Sequence, residues 1–270
     1  MNQIEALIQK SEADIVAVAV HDLQTGRELF IHADEYFHPA STFKVGVMME
    51  VFHQAAQGQF LLNDEILVSN IFSSIADGSL FSTYAEDDSE TSLYEKIGGT
   101  ASLREIMRLM IVRSSNLATN ILIQKVGAAR TNAFMRELGI EEVEILRGPE
   151  DNKAYALGLN NSATARGLMQ MMKVIAEGKA ISPQACTEMI DILLQQEFNE
   201  GIPARLPSKT RVAHKTGWND RLYHDFGIVF TEGRRPFVLA ILTRGFKQES
   251  EAHQCAAEIS ESMYQMLVGS

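Results

Sequence analysis

The chain has 270 residues, 46% of them hydrophobic, which is enough to fill one large core or two closely joined ones. Its net charge of −11 opposes binding to phosphate backbones and to anionic lipid, so neither nucleic acid nor a membrane is expected as a partner. Cys186 and Cys255 are the two cysteines, which excludes a disulfide scaffold but leaves a single bridge open.

The N-terminal residues carry no recognisable export signal. Lys10 is the one lysine among the first twenty residues, and the apolar run of residues 15–20 is too short for a signal core. Eighteen apolar residues in a row occur nowhere. As it stands the sequence predicts a cytoplasmic protein, or the mature form of an exported one, and it leaves the oligomeric state open.

Both ends of the chain are predicted to be rich in strands. After a short helix over residues 4–10, residues 15–21 and 28–32 are predicted to form two strands of a hairpin around a turn at 22–27. Near the other end, three further strands precede a helix. These are predicted over residues 211–215, 226–231 and 237–243, with the helix over 250–267.

The middle of the chain is predicted to be helical. Helix starts are indicated by the capping box of Ser102 and Glu105, by Ser162 before a Met-rich helix ending near residue 177, and by Ser182-Pro183. A helix over 116–126 ends at Gly127, whereas residues 140–161 show no regular pattern. The fold class is therefore α/β, of the α+β type. About five antiparallel strands from both termini form a sheet flanked by helices, residues 1–59 plus 209–270 form this subdomain, and an all-α subdomain of residues 60–208 is inserted.

Ser41 and Lys44 form an S-x-x-K pattern at the start of a predicted helix. One helical turn brings the amine beside the hydroxyl, which needs a base before it can act as a nucleophile. A helix start also supplies N–H groups for an oxyanion. Taken alone, the pattern also fits a helix-capping serine and a solvated lysine, because serine is a favoured cap.

Two further patterns carry side chains suited to a substrate cleft. Ser114 and Asn116 lie at a break between two predicted helices, where they can relay a proton and hold an amide, or simply cap a helix. Lys215-Thr216-Gly217 ends a late strand and offers a cation, a hydroxyl and an unobstructed backbone, with the amide of Trp218 as an oxyanion donor. By itself this triplet also fits the end of a surface hairpin.

The order of the three motifs, S-x-x-K, then Ser-x-Asn, then Lys-Thr-Gly, resembles the class A β-lactamase and penicillin-binding serine hydrolase family. The resemblance implies an active site in the cleft between a sheet subdomain and an all-α subdomain. It implies that Ser41 is the nucleophile and Lys44 its base. It further implies that Ser114 is the proton shuttle, that Asn116 is the amide anchor, and that Lys215 and Thr216 bind a carboxylate. A like charge at Lys215 and partial burial are both expected to lower the pKa of Lys44.

The sequence departs from the family pattern at two places. Ser115 stands where the family usually has Asp, which is expected to affect packing more than chemistry. The Ω-shaped loop of the family is expected to carry an Arg, a deacylating Glu two residues later and an Asp at the exit. Here Arg147 is followed by Glu150 three residues later, and the exit residue is Asn161. Acylation is therefore better supported than turnover, and Glu150 is a candidate base beside its alternative as a solvated acid.

The sequence predicts no metal site and no cofactor. Histidine and cysteine lack metal-ligand spacing, and His214 is expected to pack on the strand face opposite Lys215. The leading function is hydrolysis of a β-lactam, a small molecule, through an acyl-enzyme on Ser41. The alternatives are a D-Ala-D-Ala carboxypeptidase or esterase acting on a peptidoglycan-like peptide, or a non-catalytic penicillin sensor.

Overall fold

The protein is built around one antiparallel sheet of five strands that come from both ends of the chain. A computed structural model describes residues 2–269. In spatial order the strands are β2, β1, β11, β10 and β9, and all neighbours are antiparallel. Their ranges are β1 Ile15–Asp22, β2 Glu28–Ile31, β9 Arg211–Asn219, β10 Leu222–Phe230 and β11 Phe237–Arg244. The predicted fold class is confirmed.

The sheet is covered on both faces, as the residues of β1 illustrate. Val16, Val18 and Val20 belong to an apolar cluster with the first and last helices of the chain. Ala17 and Ala19, which alternate with them, belong to the larger cluster on the opposite face. A strand buried on both faces is apolar at nearly every position, because successive side chains point to opposite sides.

Helices form the outer layers and most of the middle of the chain. The helix at residues 165–176 packs against β1, β10 and β11, and the first and last helices pack together on the other face. The ranges are α1 Asn2–Lys10, α2 Lys44–Ala56, α3 Leu103–Val112, α4 Asn116–Val126, α5 Ala128–Glu137, α6 Asn152–Ala156, α7 Ala165–Ala176, α8 Pro183–Leu193 and α9 Glu249–Val268.

Local signals located most helix starts. Ser102 caps α3 by accepting from the N–H of Glu105, and Ser182 caps α8 ahead of Pro183. The predicted role of Ser162 is wrong, because Thr164 caps α7 by accepting from the N–H of Gly167.

The middle of the chain also contains short strands that the sequence pattern did not reveal. Part of the stretch 140–161 is regular, since a strand and the short α6 lie within it. The proposed division into residues 1–59 plus 209–270 and residues 60–208 stays a prediction. The short strands are β3 Glu65–Leu67, β4 Phe72–Ser73, β5 Leu80–Phe81, β6 Thr100–Ser102, β7 Val143–Glu144 and β8 Ser162–Ala163, paired as β3–β6, β4–β5 and β7–β8.

The open question of a disulfide is settled by the positions of the two thiols. Cys186 and Cys255 are both free and buried. Burial, with a smaller contribution from Glu258, raises the pKa of Cys255 to about 11. Across residues 2–269, no helix combines the length and apolarity needed to cross a membrane.

Candidate active site

A cavity of about 410 Å³ lies between the turn of residues 40–43, the end of β9, the start of α4 and the loop around residue 150. Ser41, Lys44, Ser114, Asn116, Glu150 and Trp218 all contribute to its wall, so the residues predicted from separate motifs line one cleft. The other lining residues are His38, Ala40, Phe43, Asp87, Ser89, Arg147, Gly148, Pro149, Asn152, Tyr155, Asn161 and Asn219.

Ser41 lies in a 3₁₀ turn of residues 40–43 that leads directly into α2, which begins at Lys44. Ala40, just before Ser41, has a left-handed backbone with φ 47°, a costly conformation for a residue with a side chain. The carbonyl oxygen of the preceding His38 accepts a 2.9 Å hydrogen bond from Nε2 of buried His224. The turn that presents Ser41 is therefore strained, and it is anchored by α2 on one side and by the hydrogen bond from His224 of β10 on the other.

The backbone of β9 passes against this turn, and Gly217 makes that approach possible. A Cβ on Gly217 would lie 2.8 Å from the amide nitrogen of Ser41 and 3.0 Å from that of Thr42. Because both neighbours are backbone atoms, neither can move aside. Ser41 and the strand residue after Gly217, Trp218, both line the cleft.

Lys44 is completely buried although its amine can carry a charge. Its Nζ donates to the carbonyl oxygen of Ser114 at 2.6 Å and to Oδ1 of Asn116 at 3.0 Å, and it also lies 3.3 Å from Ser114 Oγ. Burial lowers the pKa of Lys44 to about 7, against the opposing pull of the Asp88 and Glu150 carboxylates. About half of the Lys44 amines are therefore neutral near pH 7 and able to accept a proton.

Ser114 connects the two buried lysines. Nζ of Lys215 donates to Ser114 Oγ at 3.0 Å, so the hydroxyl of Ser114 lies within hydrogen-bonding distance of both amines. Burial and then the nearby charge of Lys44 hold the pKa of Lys215 well below its usual range, while Asp225 opposes the shift. Ser114 has a left-handed backbone with φ 58°. This geometry suits a hydroxyl that passes a proton between an amine and a substrate atom.

The predicted carboxylate-binding pair lies deeper than its motif suggested. Lys215 and Thr216 are 0% and 3% exposed, behind a cleft wall formed by Trp218 and Asn219. Trp218, by contrast, is 59% exposed at the mouth of the cleft. The expected packing role of His214 agrees with its contacts, since its ring lies 2.8 Å from the Asp225 carboxylate in the interior.

The Ω-like loop is fastened by Arg147 and the two asparagines at its exit. The guanidinium of Arg147 donates to Asn160 Oδ1 at 2.8 Å and to the Leu159 carbonyl at 3.1 Å. Asn161 holds the backbone of Arg147 instead of its side chain, accepting from the N–H and donating to the carbonyl oxygen. The contact between Arg147 and Asn161 is thus made without the ion pair that the family pattern would supply.

Glu150 reaches the cleft although its sequence position is one residue later than the family pattern. Its φ of 65° is left-handed, which turns the chain and directs Glu150 Oε1 towards Asn116, whose Nδ2 donates to it at 3.3 Å. Burial and the neighbouring Asp87 and Asp88 carboxylates raise the pKa of Glu150, whereas Arg147 and Lys44 lower it. The carboxyl group therefore faces the amide anchor and lies close enough to Lys44 to affect its pKa.

Several residues of this region were missed from sequence. Asn120 Nδ2 donates to the carbonyl oxygen of Pro149 at 3.0 Å and so supports the loop beside Glu150. Its position four residues after Asn116, on the same helical face, was a usable signal. The rings of His38 and Tyr155, which both line the cleft, are arranged edge to face with their centroids 6.4 Å apart, and no sequence pattern pairs them. Among residues 2–269 no group of three His, Cys, Asp or Glu side chains is arranged to hold a metal ion.

A serine on a strained turn, a buried lysine of lowered pKa and a second serine between two amines are the features of a serine hydrolase that works through an acyl-enzyme. A profile of the beta-lactamase enzyme family matches residues 1–267. The chain belongs to this family, which confirms the predicted serine β-lactamase-like hydrolase at the level of the family.

Individual relatives agree along nearly the whole chain. The extended-spectrum β-lactamase PER-1 of Pseudomonas aeruginosa is 23% identical over 97% of this chain and 85% of its own length. An ancestral class A β-lactamase superposes with a TM-score of 0.85 at 25% identity, covering 98% of both chains. A mutant of PBP-A, solved as an acyl-enzyme with penicillin G, superposes with a TM-score of 0.81 at 24% identity, covering 98% of this chain and 96% of its own.

Proposed function

We propose that the protein hydrolyses β-lactams through a covalent acyl-enzyme on Ser41, with Lys44 as the base for acylation and Glu150 as the base for release. The proposal is carried by one observation: Lys44, Ser114 and Glu150 converge with Ser41 on a single cleft, from three separate parts of the chain. Family membership supports the same reaction. The substrates named for the relatives are β-lactams, including the penicillin of the PBP-A complex.

Acylation begins when the neutral amine of Lys44 takes the proton of Ser41 Oγ and the oxygen attacks the lactam carbonyl carbon. The N–H groups of Ser41 and Trp218 stabilise the oxyanion. When the carbon–nitrogen bond breaks, the ring nitrogen takes the proton of Ser114 Oγ, which is replaced from Lys44. Lys215 donates to Ser114 throughout and favours a hydroxyl oriented towards its acceptor.

Deacylation uses the other side of the cleft. The Glu150 carboxylate takes a proton from a water molecule, whose oxygen adds to the acyl carbon. Collapse of this intermediate breaks the ester bond, and Ser41 Oγ recovers a proton from Glu150. The amide of Asn116 donates to Glu150 and accepts from Lys44, so it holds the two bases at a fixed separation. A fixed separation matters because small displacements of a catalytic group cost orders of magnitude in rate.

Intact-mass spectrometry during reaction with a penicillin, run alongside turnover of a chromogenic cephalosporin, tests this proposal. The wild type is expected to give a transient adduct and steady turnover. Ser41→Ala is expected to give neither. Glu150→Gln is expected to give a lasting adduct, with release slowed roughly a hundred- to ten-thousandfold by loss of the base. Glu144→Gln is the matched control, since Glu144 is an exposed carboxylate on β7.

Each departure from this pattern has a distinct meaning. A lasting adduct on the wild type would replace hydrolysis with a penicillin-binding or sensor function. Turnover of a D-Ala-D-Ala peptide in preference to the cephalosporin would identify the peptidase alternative. Normal turnover by Glu150→Gln would show that another group activates the water. An unmodified Ser41 at millimolar penicillin would contradict the proposed function altogether.

A further inference from the structure

We propose that Asp88, which lies outside all three motifs, is the positioning residue that fixes the turn of residues 114–116 beside Lys44 and Glu150. The inference rests on the proposed function and extends it to a residue that does not line the cleft. Asp88 lies in the acidic stretch Asp87-Asp88-Ser89-Glu90, which by sequence is an ordinary solvated run.

A single carboxylate oxygen of Asp88 gathers several donors at the start of α4. Oδ2 accepts from the backbone N–H of Asn116 at 2.8 Å and of Leu117 at 2.9 Å, and from Ser115 Oγ at 3.2 Å. Tyr94 OH donates to the same oxygen at 3.0 Å. An anion at this point satisfies otherwise free N–H groups and interacts favourably with the positive end of the helix.

These contacts enclose the two side chains that the mechanism uses. Ser114 and Asn116 flank Ser115, and Ser114 holds a left-handed backbone that costs about 1–3 kcal/mol unless its surroundings impose it. Asp88 accepts a hydrogen bond from the N–H of Asn116, two residues after Ser114. From the cleft side, Nζ of Lys44 donates to the carbonyl oxygen of Ser114. The position of the Ser114 hydroxyl therefore depends on a carboxylate supplied by a different loop.

The charge of Asp88 acts on both bases. It raises the pKa of Lys44, opposing burial, and it raises the pKa of Glu150 together with Asp87. Asp88 and Glu150 raise the pKa of Lys44, whereas the charges of Lys44 and Lys215 oppose each other, because both amines lie within hydrogen-bonding distance of Ser114 Oγ. Asp87 differs from its neighbour in its contacts. It also raises the pKa of Glu150, but the hydrogen bonds to the start of α4 are made by Asp88.

This difference gives the experiment its control. Acylation and deacylation rates are measured separately by rapid-quench mass spectrometry with a penicillin from pH 5 to pH 9 for wild type, Asp88→Asn and Asp87→Asn. Asp88→Asn is expected to slow acylation about tenfold or more, since a neutral amide oxygen accepts more weakly from these donors than a carboxylate does. Its acylation and deacylation midpoints are both expected to move to lower pH. Asp87→Asn is expected to move the deacylation midpoint and to slow acylation less than Asp88→Asn does.

Asp88→Ser serves as a second variant, because it removes the charge with a different, shorter side chain while α4 keeps its own N-cap, Ser115, which accepts from the N–H of Ala118. It is expected to move both midpoints in the same direction as Asp88→Asn. Unchanged midpoints in the Asp88 variants, with a wild type that is acylated normally, would overturn the inference and leave the proposed function standing. A wild type that forms no adduct would overturn the proposed function instead.

Discussion

Gly148 lies so close to the side chain of Asn120 that a methyl group on Gly148 would overlap Asn120 Oδ1. Asn120 is itself fixed, because its Nδ2 donates to the carbonyl oxygens of Pro149 and Asn116. The loop that carries Glu150 therefore packs directly against α4. Any side chain at residue 148 would lift the loop away from the cleft or displace Asn120.

Gly148→Ala is accordingly expected to slow deacylation about a hundredfold while leaving acylation within a few-fold of wild type, because Glu150 acts directly on the water in deacylation but on acylation only through the pKa of Lys44. Single-turnover mass spectrometry separates the two rates. A double-mutant cycle with Asn120→Ala tests the cause, since the smaller residue removes the overlapping atoms. Gly148→Ala should then cost little in the Asn120→Ala background. Additive losses would show that the overlap is not what slows the reaction.

A second support for the loop comes from the β4–β5 hairpin. Asp151 is 2% exposed, accepts from Ser74 Oγ at 2.7 Å and from the N–H of Ile75 at 2.9 Å, and also caps α6. Asp151→Asn replaces one acceptor oxygen with an NH2 group, which then faces either the Ser74 hydroxyl or the N–H of Ile75. It is expected to cost about 1–3 kcal/mol of unfolding free energy and to slow deacylation more than acylation.

Lys153→Ala is the matched control for Asp151→Asn. Lys153 joins the same hairpin through Asp77 at 3.1 Å, but this ion pair is exposed and is expected to contribute less than about 1 kcal/mol. Urea unfolding and single-turnover rates measure both effects. Equal losses in the two variants would mean that the buried carboxylate has no special part in holding the loop.

The sheet and the nucleophile were predictable because their signals are local. The continuous apolar run of β1 and the one-turn spacing of Ser41 and Lys44 need no knowledge of the rest of the chain. The end of β9 was predicted too early, at residue 215, since Gly217 and Asn219 favour turns. Pairing with β10 extends the strand to Asn219 and overrides that preference.

The remainder of the site depends on contacts between distant segments. The left-handed backbone of Glu150 gives no sequence signal, because the residue is not glycine, and it decides whether the carboxylate faces the cleft. Asp88 lies 28 residues before Asn116, whose N–H it accepts. Neither relationship is encoded in periodicity or in motif spacing. The motif order was enough to propose the residues for acylation, whereas for Glu150, a candidate from sequence, only the tertiary structure shows that the side chain reaches the cleft.

The lowered pKa of Lys44 predicts the pH dependence of acylation. The neutral amine is the reactive form, so the acylation rate should rise with pH and level off, with a midpoint near pH 7. Rapid-quench mass spectrometry with a penicillin from pH 5 to pH 9 measures this profile. Glu150→Gln should shift the midpoint to lower pH, since the Glu150 charge raises the pKa of Lys44. A midpoint above pH 9 would assign the proton to another acceptor.

The same pKa predicts how stability depends on pH. The Lys44 pKa is about 7 in the folded protein and 10.5 in the absence of burial. Between these values the unfolded chain binds more protons than the folded one, so this contribution to the unfolding free energy increases with pH. The destabilising effect is complete below pH 7, decreases through this window and disappears above pH 10.5.

The comparison of wild type with Lys44→Met measures this contribution together with the effect of the Lys44 charge on Lys215 and Glu150, because the remaining titrating groups are common to both proteins. From pH 7 to pH 9 the unfolding free energy of wild type should rise relative to the variant by about 1.4 kcal/mol per pH unit, the value for one proton. Urea titrations at several pH values give the difference. A constant difference would mean that Lys44 keeps its ordinary proton affinity in the fold, and the base for acylation would then have to be sought elsewhere.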